Sequence, residues 1–221
     1  MDTTGKAIKI TTGRYGKGSA EQNKTVDAIL GKGCAKERFE LYFHWYNVIH
    51  ELGHGIIHFH AENRPHPVHE EQLVNDFAIA YWLHYGEDGK IIYLSSIIDY
   101  ALAHLQCPAE AGIGHIAYAK ENWGKEALYN FNNYGWFQFS SVFGALRERQ
   151  DLESALEKMG IKNIKPQPQK TLVYRNITED TTTKIAKDAA SVLRRWGVVI
   201  PDVYVVFDDD PNRHMCRVID V

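Results

Sequence analysis

His50-Glu51-Leu52-Gly53-His54 is the stretch of this sequence with the most evident chemistry. On a helix, residues four apart lie about 40° from one another around the axis and one turn along it. His50 and His54 would then offer two imidazoles to a single zinc ion. Glu51 would stand beside them, able to reach a water without being a ligand itself. H-E-x-x-H on a helix is the sequence form of two zinc ligands and a general base. Two surface histidines on an amphipathic helix produce the same letters by chance. The setting argues against that, because apolar residues flank the motif throughout Val48–His60, VIHELGHGIIHFH, and Gly53 thins the helix wall beside it.

Catalytic zinc usually takes three protein ligands and keeps a fourth position open. His60 stands six residues after His54, at the spacing of H-E-x-x-H-x-x-G-x-x-H. That longer motif needs glycine where the chain turns back, and here the position is Ile57, whose bulk opposes a positive φ. The rival stretch is His69–Ala78, HEEQLVNDFA. Glu71 can supply a carboxylate oxygen, and Asn75, four residues on, shares its helical face. Asn75 or Asp76 would then hydrogen-bond the outer nitrogen of a ligating histidine and fix its tautomer. Glu70 is the alternative, paired at the same spacing with Val74, which has nothing to donate or accept. Two acidic residues in a first helical turn also arise simply because the helix dipole favours them. The expected metal set is His50, His54 and Glu71, with Glu70 and His60 as rivals. His115 and Tyr118 are candidate donors to an oxyanion.

In these residues the chain resembles the ImmA/IrrE-type metallopeptidases. The match is His50, Glu51 and His54, then an apolar helix end, a proline-containing loop, and Glu71, Asn75, Phe77 and Ala78. It spans residues 45–85, with Leu73 where the family often has a second Glu. Those enzymes are gluzincin-like, and several cleave repressor proteins in bacteria and their mobile elements. The resemblance implies a zinc-dependent peptidase of zincin-like fold acting on a protein or peptide. Zinc would bring the pKa of a bound water towards about 7. Glu51 would take its proton and deliver it to the leaving amine. The alternative is a non-catalytic binding or regulatory module in which the metal only ties two helices together. Glu51 favours the enzyme, since a structural zinc has no use for a general base.

The elements that must position these groups are legible in part. Phe39, Tyr42, Phe43, Tyr46, Ile49, Leu52 and Ile56 recur at three- and four-residue spacing, so the motif falls in the second half of a long buried helix. Pro65 and Pro67 break it, and a second helix is expected over His69–His84. Further helices are expected near 97–105, 109–120, 137–149 and 152–159, the last stopped by Gly160. The proline-containing run 161–170 reads as a linker. Beyond it, strands at Thr171–Tyr174 and Val203–Phe207, a helix at Thr181–Trp196 and an edge at Val218–Val221 make a β-α-β-β appendage. Residues 1–35, polar and glycine-rich, read as a flexible arm with a short strand at Ala7–Thr12. The expected fold is therefore helix-rich α+β: a zincin-like domain over 36–160, the linker, and the appendage over 171–221.

Composition excludes several other functions. A net charge of −3 with no basic stripe argues against a nucleic-acid surface. No run of 18 apolar residues and no apolar signal segment appears, so a cytoplasmic protein without membrane contact is expected. Cys34, Cys107 and Cys216 form no C-x-x-C pair. Gly16-Lys17 and Gly31-Lys32 lack the rest of a phosphate loop. Asp208–Asn212 lacks the alternating ligands of an EF-hand.

Overall fold

A computed structural model describes residues 7–210 and the backbone of 216–220. The chain opens with strand β1 (Ala7–Thr12) and helix α1 (Ala20–Leu30). Ser19 and Gln22 start α1 by bonding each other's backbone N–H, so two otherwise unpaired donors are satisfied reciprocally. A short α2 (Ala35–Phe39) runs through a π-helical stretch, Glu40–Tyr46, into α3 (Asn47–His60). The long buried helix expected from periodicity is this continuous unit, and its π-helical part lies directly ahead of the histidine motif.

Helix α4 (Pro67–Tyr85) begins two residues earlier than expected. Pro67 occupies its first turn, where a missing N–H costs nothing, and the His66 ring accepts a bond from the Val68 N–H. Then follow α5 (Asp88–His104), α6 (His115–Asn122), α7 (Phe131–Glu148), α8 (Leu152–Lys158) and α9 (Glu179–Arg195). Strands β2 (Asp202–Phe207) and β3 (Cys216–Asp220) complete the chain. The fold is helix-rich α+β. Among the described residues no helix is long and apolar enough to cross a membrane.

The three strands form one sheet in the order β2-β1-β3. Strand β1 pairs in parallel with β2, Ala7 opposite Asp202, and antiparallel with β3, Ile8 opposite Asp220. The strand expected at Ala7–Thr12 forms and is central in the sheet, but with the capped helix α1 it makes the described part of 1–35 a packed segment rather than a flexible arm; residues 1–6 lie outside the described set. The sheet packs on the motif helix, where Ile8 sits so close to Gly55 that a Cβ there would fall 2.7 Å from Ile8 Cδ1.

The expected strand at Thr171–Tyr174 does not form. Its Leu172 N–H bonds the Tyr85 carbonyl at the end of α4, and Tyr174 is buried with its hydroxyl on Asp188 of α9. Nor does 161–170 behave as a free linker. The Lys165 N–H bonds the Trp196 carbonyl, and the Gln167 carbonyl meets His84. One hydrophobic core joins Ile8, Ile49, Phe77, Leu156, Ile185 and Val203, so arm, middle and tail share a single interior. Helix α9 contributes Ile185, Ala186, Ala189 and Leu193 to it, spaced along one face.

Candidate metal centre

Helices α3 and α4 lie antiparallel, as their cross-links show: Tyr46 meets Asn75, His50 meets Glu71, and His54 meets Glu70. Small size at Gly53 permits the close approach. A Cβ there would lie 3.0 Å from Phe77 Cδ1 and 3.1 Å from Val74 Cβ, tighter than ordinary contact. Trp45 and Trp82 stack face to face, ring centres 3.9 Å apart, and anchor the other end of the pair.

This packing brings one ligand atom from each of three residues within 4.8 Å of one another. His50 Nε2 and His54 Nε2 are 3.3 Å apart. Glu71 Oε2 lies 3.3 Å from His50 Nε2, and Glu71 Oε1 lies 3.6 Å from His54 Nε2. His50, His54 and Glu71 could therefore hold a metal ion. Glu51 lines the same cleft, one of its oxygens accepting a bond from Asn47 Nδ2 at 3.0 Å.

The outer ring nitrogens are engaged too. Asn75 Oδ1 accepts from His50 Nδ1 at 2.9 Å and from the Tyr46 hydroxyl at 2.7 Å. His54 Nδ1 donates to Glu70 Oε1 at 2.7 Å, and Arg64 grips both Glu70 oxygens. With a proton held on Nδ1, each ring can turn an Nε2 lone pair towards the common point. Of the two adjacent glutamates, Glu71 faces that point and Glu70 braces a histidine from behind. Asp76, the alternative brace, instead bonds Gln150 away from the site.

Electrostatics match a cation site. Burial disfavours charge on His54, but the carboxylates of Glu71 and Glu70 outweigh it and push the imidazole up to about 10. Burial likewise works against an ionised Glu70, yet Arg64 and His54 hold its carboxyl down to about 2. Glu71 is buried and still held well below the usual carboxylate range by His54 and His50. Arg64 balances Glu70, so the buried Glu71 carboxylate is the negative charge that faces the two imidazoles.

The site opens on a cleft of about 760 Å³ walled by α1, the π-helical stretch and α7. Helix α7 contributes two groups the sequence reading missed. Gln138 Nε2 donates to Glu71 Oε2 at 2.8 Å and to the Tyr134 oxygen at 3.0 Å, while the Tyr134 hydroxyl lies 3.4 Å from Glu71 Oε1. Burial, then Glu71, pushes the Tyr134 phenol well above its ordinary value. A Tyr and a Gln four apart on one helical face were the only available signal.

Other candidates fall elsewhere. His60 ends α3 with its ring on the Val199 carbonyl at 2.8 Å and does not line the cleft. His115 packs against Trp136 and Phe137, and the Tyr118 hydroxyl accepts from Asn133. Neither His115 nor Tyr118 lines the cleft, whose aromatic lining is Tyr42, Phe43, Tyr129, Phe131, Tyr134 and Phe139. Compared with protein-family models, with curated proteins and with solved structures, the chain gave no match.

Proposed function

We propose that the protein is a zinc-dependent peptidase. The observation that carries this reading is the convergence of His50, His54 and Glu71, each offering one ligand atom within 4.8 Å of the others. Zinc bonds of about 2.0–2.1 Å in a tetrahedron require ligands separated by about 3.3–3.4 Å, which the two imidazole nitrogens meet at 3.3 Å, and two His with one Glu is a donor set zinc takes. Bound there, zinc would acidify a water and polarise a substrate carbonyl.

The protein's own groups supply the rest. Glu51, steadied by Asn47, is placed to accept a proton from a water in the cleft and to return it to the departing amine. Asn75 and Glu70 hold the two imidazoles in the tautomer that binds metal. The open cleft favours catalysis over a purely structural metal, because structural zinc sites are closed by four protein ligands. The resemblance to ImmA/IrrE-type metallopeptidases, through His50, Glu51, His54, Glu71, Asn75, Phe77 and Ala78, supports the same reading and a protein or peptide substrate inside the cell.

Two measurements test it. The purified protein should carry about one zinc per chain, as a single three-residue site requires, and cleave unfolded proteins from a panel until a chelator is added. Glu51→Gln should retain the zinc and lose the cleavage, since an amide cannot take the proton. Undiminished cleavage by Glu51→Gln would assign the activity to another group or to a contaminant.

A further inference from the structure

We infer that Tyr134 is the hydrogen-bond donor that steadies negative charge on the substrate's carbonyl oxygen, and that Gln138 is the positioning residue that frees its proton to do so. This rests on the peptidase reading above. The Gln138 carboxamide has two N–H donors and one acceptor oxygen. Its oxygen faces Asn75 Nδ2 at 3.5 Å, and its nitrogen donates to Glu71 Oε2 at 2.8 Å and to the Tyr134 oxygen at 3.0 Å. The Tyr134 oxygen is thus an acceptor on the Gln138 side, and its own proton must point elsewhere.

That proton faces Glu71 Oε1 at 3.4 Å, beyond the 2.5–3.0 Å of a good O–H···O bond. The hydroxyl is loosely held beside a metal-facing carboxylate, on the wall of the cleft that also presents Glu51. Its ring is not loose. It packs against Tyr129, ring centres 6.0 Å apart and planes 29° apart, and against Phe137 at 6.1 Å. A donor fixed before the reaction costs no reorganisation when charge develops. Two other donors of the cleft are committed, Arg64 to Glu70 and Asn47 to Glu51.

Two probes of the same dipeptide sequence separate this role from packing. An N-phosphoryl dipeptide presents tetrahedral anionic oxygens to the zinc-loaded protein, whereas a mercaptoacetyl dipeptide binds metal through sulfur and presents none. Tyr134→Phe should weaken the phosphoryl probe about 10- to 100-fold, the range for a hydrogen bond to a charged group, and leave the thiol probe and the zinc content within about twofold. Gln138→Met should give a smaller loss in the same ratio. Equal losses for both probes would reduce Tyr134 to a packing residue, and no loss would remove its role altogether. If the zinc-loaded wild type binds neither probe, the peptidase reading itself fails and this inference fails with it.

Discussion

Asn75→Ala tests the buried brace behind the candidate metal centre. Asn75 is 1% exposed, and its Oδ1 accepts from the Tyr46 hydroxyl at 2.7 Å and from His50 Nδ1 at 2.9 Å. Tyr46 is fully buried and His50 nearly so. Truncation strands both donors at once, and a buried donor left unpaired costs about 1–3 kcal/mol. The Tyr46 hydroxyl is sealed in the interior, while His50 borders the cleft and water can partly replace its partner. A loss of roughly 2–4 kcal/mol is therefore expected in urea denaturation of the chelator-treated protein. Zinc affinity should fall about 10- to 100-fold, because the His50 ring loses the bond that fixes its tautomer. A competition titration against a zinc-binding dye measures it. Asn75→Asp is the control: its carboxylate still accepts both bonds, so zinc affinity should survive. An alanine variant within about 0.5 kcal/mol and twofold of wild type would refute the brace.

The remaining predictions address the third ligand, the helix–sheet contact and pH. Glu71→Ala should weaken zinc strongly and His60→Ala hardly at all, since the His60 ring is bonded to Val199; the opposite pattern in zinc titrations would overturn the ligand set. Gly55→Ala places a Cβ 2.7 Å from Ile8 Cδ1, an overpacking cost of about 1–3 kcal/mol against about 1 kcal/mol of gained helix propensity. A net fall in Tm of a few degrees is expected, and the same Gly55→Ala step should cost nothing in an Ile8→Ala background, whereas a rise in Tm would contradict the contact. In the chelator-treated protein, the raised His54 contributes stability that is full below its ordinary 6.5 and is lost as pH climbs through about 10. The depressed Glu70 contributes stability that is present above its ordinary 4.5 and is lost as pH falls through about 2. Urea midpoints should therefore peak between those ordinary values, and zinc binding at pH 7 should release close to one proton from His54, seen by calorimetry in two buffers. Proton-independent binding heats would rule out a protonated His54.

The chemistry of the centre was written locally. His50, Glu51 and His54 need only one helix, and three- and four-residue apolar spacing is enough to recognise that helix, as it is for α4. Choosing between Glu70 and Glu71 is different, because adjacent helical residues point about 100° apart. Which one meets the histidines depends on how α4 is rotated against α3, and Val74 and Phe77 seated on Gly53 set that rotation. His60 was decided in the same way: α3 runs straight to its end and delivers that ring to Val199. Gln138 and Tyr134 come from α7, far along the chain, and no local pattern ties them to Glu71. Nor could the first residues announce that β1 would pair with β2 from the other end of the sequence. Thr171–Tyr174 has strand-like residues, but its backbone is taken up at the end of α4, where Leu172 bonds Tyr85. Spacing on one element is a covalent property of the chain, whereas pairing between elements follows from which faces must leave water together.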